Sequence, residues 1–143
     1  MNPNYIHTIT VYNCFRAADN PDSTKDIWYR TVLKDCYYKN VIGRVDSEKS
    51  SSMQNVYTAR IAESQAYLPY HEWIKLSEES RKSHFTFSLG DIVVKGECSD
   101  LITGSSPNTA TELLQRHKPD AFKVTAFSDN TSHQMSKHYR VGG

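Results

Sequence analysis

No apolar stretch in this 143-residue chain approaches the about 20 residues that a membrane-spanning helix needs. Residues 1–7 carry neither the positive charge nor the apolar run of a secretory signal, so a cytoplasmic product is expected. Cysteine is scarce: Cys14, Cys36 and Cys98 lie far apart and no pair has CxxC spacing. That excludes a disulfide framework or zinc knuckle readable from spacing, and predicts three reduced thiols acting as small apolar residues. Glycine occurs only at positions 43, 90, 96, 104, 142 and 143, which leaves no phosphate-cradling loop. An excess of positive charge is also missing. With 17 basic and 16 acidic residues the net charge is +1, not the basic footprint of a steady nucleic-acid or membrane-surface binder.

What the chain does have is aromatic side chains: nine Tyr, five Phe and two Trp within a modest 38% hydrophobic content. Tyr and Trp pair a large apolar body with a polar tip and suit half-buried strand faces and protein interfaces. Residues 5–12 (YIHTITVY) are β-branched and alternating, with Ile9 and Val11 on one face and Thr8 and Thr10 on the other. Residues 17–24 contain Asn20-Pro21-Asp22, a strong turn signal. Residues 27–39 form a long β-prone run, with Tyr29, Thr31, Leu33, Asp35 and Tyr37 predicted on one side. Residues 43–54 are polar, serine-rich and without periodicity, and read as a mobile loop. Strand character resumes over 55–62, where Tyr57, Ala59 and Ile61 alternate.

Pro69 opens one or two helical turns over 69–76, and residues 77–83 read as an exposed charged loop. Phe85, Phe87 and Leu89 alternate, and a Gly90-Asp91 turn is expected to join them to 92–95 as a hairpin. A short strand is expected at 100–103. Thr109 and Glu112 have capping-box spacing ahead of Leu113 and Leu114, predicting a helix over 109–117 that Pro119 stops. Residues 121–127 and 135–141 read as two final strands. One domain of mainly β architecture follows: a small β-barrel or sandwich of about 7–9 short strands with two short helices.

No catalytic or metal-binding spacing stands out along the chain. The six histidines form no HxH, HxxxH or HxxE pattern and are expected to be scattered over the surface. Asp91, Glu97 and Asp100 lack the oxygen-rich twelve-residue calcium loop. The Ser88 and Ser105 neighbourhoods lack a nucleophile elbow. The expectation is no enzyme, no cofactor and no metal. Tyr67, Tyr70 and Trp73 crowd one short helical segment and serve either as a local core cluster or, with Tyr139 and Arg140, as a subunit interface. Arg30, Lys39 and Arg60 interleave with Tyr29, Tyr38 and Tyr57, a pattern that near-neutral charge assigns to a solvated strand face.

Several stretches together carry a resemblance: the opening strand 6–12, the Trp-bearing 28–33, then 68–75 (LPYHEWIK), 89–96 (LGDIVVKG) and the closing 139–143 (YRVGG). In this order the chain resembles uncharacterised minor structural proteins of phages of Gram-positive bacteria. These are similar to head-closure, or stopper, proteins of the head–tail connector. The resemblance implies a β-barrel subunit of a homo-oligomeric ring in the virion neck, made in the host bacterial cytoplasm. Its implied neighbours are portal or adaptor protein on the head side and tail terminator or tail tube on the other. It also implies that a long loop faces the channel and helps retain packaged double-stranded DNA through transient contact. The matching positions are Arg44, Asp46, Ser47, Glu48, Lys49, Ser50, Ser51, Ser52 and Met53, whose mixed charges are unlike a strongly basic DNA grip. The alternatives are an adaptor or tail-terminator ring protein of the same neck, or a soluble ligand-binding barrel or enzyme.

Overall fold

The computed structural model describes residues 3–46, 51–132 and 137–143, with side chains described at all of these except 42–46 and 51–55. The protein is mainly β. Seven antiparallel strands form one curled sheet: β1 (His7–Phe15), β2 (Ile27–Asp46), β3 (Ser51–Ala62), β4 (Ile92–Lys95), β5 (Ala121–Lys123), β6 (Ala126–Asp129) and β7 (His138–Gly142). Among the described residues, three short α-helices and a 3-10 turn at Ala17–Asp19 lie between strands: α1 (Tyr70–Trp73), α2 (Glu78–Ser83) and α3 (Ala110–His117).

The sheet order is β5-β4-β1-β2-β3-β7-β6, so its two edges are strands consecutive in the chain. Only Val124 and Thr125 separate them, too short a link to cross an open sheet. The edges therefore meet, and the linking residues stitch them. Val124 N donates to Asp91 O at 2.7 Å on one side, and Thr125 N donates to Gly142 O at 2.9 Å on the other. The inside is filled by Ile9, Val11, Tyr38, Tyr57, Phe85, Phe87, Phe122 and Tyr139, among others. Aromatic rings bridge the walls: Tyr57 stacks on Phe122 at 5.1 Å between centroids, and Tyr67 meets Tyr139 at 4.2 Å.

A bulge breaks the parity of β2. His7 pairs with Cys36 but Ile9 pairs with Leu33, so β2 spends one residue more than β1 across the step. Asp35 absorbs it at φ +56°, a left-handed conformation that Asp tolerates better than most residues. Leu33 packs on the inner core before the bulge, whereas Cys36 and Tyr38 do so after it. The uniform alternation expected over 27–39 is corrected accordingly: Tyr37 leaves the face of Tyr29 and Leu33.

Both faces of β1 are covered. Outside the barrel, Tyr12, Ile92 and Val94 pack with Leu113 of α3, Cys98 and Ala121. Thr109 caps α3 as its spacing predicts, its Oγ1 accepting from Glu112 N at 3.2 Å. The third cluster holds Phe15, Tyr29 and Trp73 under α1 and α2. Residues 77–83 are helical rather than a loop, because Ser77 caps Ser80 N and Glu78 and Glu79 favour the first turn. Residues 84–89 do not pair as a strand with β4. Phe85 and Phe87 instead turn into the barrel, and the segment's bridge is a single parallel one, Phe85 to Tyr67. Residues 100–103 form no strand either, and 121–127 divides into β5 and β6 at the seam.

One buried carboxylate fastens the 84–91 segment. Asp91, 1% exposed, accepts from Asn13 Nδ2 at 3.0 Å, Cys14 N at 3.0 Å and Ser88 N at 2.9 Å. Asn13, itself buried, also donates to Thr86 O at 2.5 Å. Burial pushes the Asp91 carboxyl up to about 6 from its ordinary 3.8, against the pull of these donors and of Arg16.

Candidate functional site

The strongest departure from a plain barrel is the β2–β3 hairpin. Its ladder runs without a break from Cys36↔Ile61 to Asp46↔Ser51. β1 stops covering β2 at Cys36, and β7 stops covering β3 at Thr58. Gly143 adds one more pairing, with Tyr57. Beyond it, among the described residues the ladder pairs 41–46 with 51–56 alone, an arm of about 15–20 Å at about 3.4 Å per residue. At its base, Val41 and Val56 pair directly and are 43% and 51% exposed. An isolated two-stranded ribbon is marginally stable in water, and this one offers two open strand edges. The arm is thus suited to docking against another protein surface.

This arrangement corrects the mobile loop expected over 43–54. Arg44 and Asp46 lie on β2, while Ser51, Ser52 and Met53 lie on β3 in register with them. Ser47, Glu48, Lys49 and Ser50 lie outside the described residues. The segment is polar and serine-rich and lacks the alternation that announces a half-buried strand, so its composition does not reveal the pairing.

The residues expected at a subunit interface divide. Trp73 is fully buried, 5.2 Å from Tyr29 and 6.0 Å from Phe15 between ring centroids. Tyr139 is buried in the barrel core. Both serve the chain's own packing and are removed from the surface set. Tyr67 is half-buried among Phe85, Phe87, Phe127 and Tyr139. Tyr70, also half-buried, donates its hydroxyl to Asp19 Oδ2 at 2.7 Å and lies under the Arg16 guanidinium. Arg140 is exposed on β7.

A second constellation went unforeseen in the sequence. Gly96 to Asp100 crosses the outer face of β1 as a strap, held from beneath. Thr10 Oγ1 donates to Gly96 O at 2.8 Å and accepts from Cys98 N at 2.8 Å. Tyr12 Oη donates to Asp100 O at 2.6 Å, and Arg30, opposite Tyr12 in the ladder, donates to Cys98 O. The strap thereby presents Cys98 and Asp100 to the C-terminal end of α3. His117 Nε2 lies 3.4 Å from Cys98 Sγ and 2.8 Å from Asp100 Oδ2, and all three donor atoms fall within 4.8 Å of one another. Cys98 is buried, and its two partners are half-buried. The His117 hydrogen bond, together with Arg116 at 3.3 Å, holds the Asp100 carboxyl below the ordinary carboxylate range. Cys98 and Asp100 are two apart, and His117 follows only after an intervening helix. No local ligand motif spans that gap.

Cys14 and Cys36 lie outside this cluster. Burial pushes both thiols up to about 12, far from thiolate formation at neutral pH. Among the described residues, no helix is long and apolar enough to cross a membrane.

A family model matches residues 5–143, which takes in the barrel, the arm and the Cys98–Asp100–His117 cluster. The chain belongs to the DUF6751 family, a family of unknown function. No curated protein and no solved structure matches it. In this DUF6751 member the match leaves out only residues 1–4, so the seam at Val124–Thr125 and the bulge at Asp35 both fall within the family region.

Proposed function

We propose that this DUF6751 chain is a structural subunit of the neck of a tailed bacteriophage. In this reading it is a head-closure (stopper) protein that forms a ring between portal or adaptor and tail and helps retain packaged DNA. The observation that carries the reading is the hairpin arm, a two-stranded ribbon that extends beyond the curled sheet and, among the described residues, leaves both its outer strand edges open to another surface. A ring supplies that surface, because heterologous contacts repeated around an axis let each arm lie on the next subunit. Aromatic side chains fill the barrel interior, which favours a rigid building block over a ligand carrier. Cys98 and Asp100 both address Nε2 of His117, whereas a proton relay needs one imidazole nitrogen for each partner, so the cluster favours no hydrolytic triad.

The test replaces residues 44–53 with an Asn-Gly turn, which closes the ladder at the Gly43↔Gln54 pair. In a phage that depends on this chain, the variant is expected to fold but to yield filled heads that leak DNA or fail to join tails. Full-titre complementation by the armless variant, or absence of the wild-type chain from purified virions, overturns the proposal. Cross-linking to portal protein rather than to tail-tube protein separates the stopper or adaptor position from a tail-terminator one.

A further inference from the structure

The geometry points to a zinc-type metal site made by Cys98 Sγ, Asp100 Oδ2 and His117 Nε2, pinning the Gly96–Asp100 strap to the end of α3. The inference is independent of the neck reading. It rests on convergence: the three donor atoms face one another within 4.8 Å, and both other donors approach the same imidazole nitrogen. A tetrahedral zinc ion keeps its N, O and S ligands roughly 3.3–3.6 Å apart, given bonds of about 2.0–2.3 Å. The Cys98–His117 separation of 3.4 Å already fits. The Asp100–His117 separation of 2.8 Å is a hydrogen bond and must open by about half an ångström for the ion to replace the shared proton.

The donors are also held in place. Thr10, Tyr12 and Arg30 fix the strap's backbone on the sheet, and Leu113, fully buried, seats α3 against the same sheet. Metal binding thus needs side-chain adjustment without reordering of the backbone. Thiolate and carboxylate together balance a divalent cation, with neutral imidazole as the third ligand and water as the fourth. The thiol proton leaves to solvent, and the imidazole proton shared with Asp100 gives way to one on Nδ1, so that His117 ligates through Nε2 as a neutral ring. Arg116, which also faces Asp100, is 39% exposed at its side chain and keeps a second acceptor in Pro107 O at 3.3 Å when it leaves the carboxylate.

The experiment uses the purified full chain with cobalt(II) and then zinc(II) as probes. One equivalent of cobalt is expected to produce a thiolate-to-cobalt charge-transfer band in the near ultraviolet, with visible bands as strong as tetrahedral sites give. Cys98→Ser abolishes that band, and Cys14→Ser keeps it. Because loss of a mere supporting group costs a metal site 10–100-fold, His117→Gln is expected to weaken zinc by about 100-fold or more. Zinc at a hundredfold excess over its Kd raises Tm by roughly 5–10 °C. A wild-type chain without the band, or a band that survives Cys98→Ser or disappears with Cys14→Ser, overturns the site. If Cys98→Ser does not fold by circular dichroism, His117→Gln decides, and unchanged zinc affinity in that variant refutes the inference.

Discussion

Asp91 sets up a contest whose outcome can be measured. Its carboxylate accepts three N–H bonds, which favour ionisation, yet it is 1% exposed, which opposes it. Burial wins, and the folded-state value is about 6 against an ordinary 3.8. A folded chain that holds this proton more tightly than the unfolded chain is most stable below pH 3.8. It then loses stability as pH rises through about 6, and the contribution is flat above that. The interval corresponds to about 3 kcal/mol. Asp91→Asn removes the titration, although the amide sets an N–H₂ against at least one of the three donors and lowers stability by about 1–3 kcal/mol at neutral pH. The informative quantity is therefore a difference of slopes. Urea unfolding of both proteins at intervals between pH 4 and 7 should show the wild-type chain losing up to about 3 kcal/mol relative to the variant. Parallel curves, or a wild-type chain that gains on the variant as pH rises, would show that the three donors outweigh burial.

Two further substitutions probe the frame. Trp73→Ala empties the centre of the cluster it shares with Phe15 and Tyr29, and should cost about 3–5 kcal/mol by urea unfolding. A loss under about 1 kcal/mol would mean that α1 is not pinned there. Asp35→Val places a β-branched residue at φ +56° and should cost about 1–2 kcal/mol, while Asp35→Gly should be tolerated. Equal stability of the two would remove the bulge as the reason for Asp at this position.

Features set by near neighbours in the chain were legible in the sequence. The α3 cap needs only Thr109 and Glu112, and the inner face of β3 shows as Tyr57, Ala59 and Ile61. The mainly β class follows from such alternation. Features set by distant pairing were not legible. The parity change at Asp35 exists because His7 and Ile9 pair across it, and nothing in residues 27–39 alone announces it. The arm reads as a loop in the sequence because residues 43–54 carry no hydrophobic period, and its pairing shows only in the ladder register. Phe85 and Phe87 have the alternation of a strand but act as a plug, a difference decided by where β4 finds its partners in β1 and β5. The Cys98–Asp100–His117 cluster depends on α3 returning to the strap, so ligand spacing along the chain could not reveal it.

The seam at Val124–Thr125 also orders events at the ribosome. β7 lies between β3 and β6, yet it is the last of the seven strands to be synthesised. Until residues 138–142 emerge, the nascent sheet has a bare β3 edge and its aromatic interior lacks Tyr139 and Val141. Closure is thus postponed until synthesis reaches β7, and a chain cut short before residue 138 would expose a long unpaired strand to its neighbours.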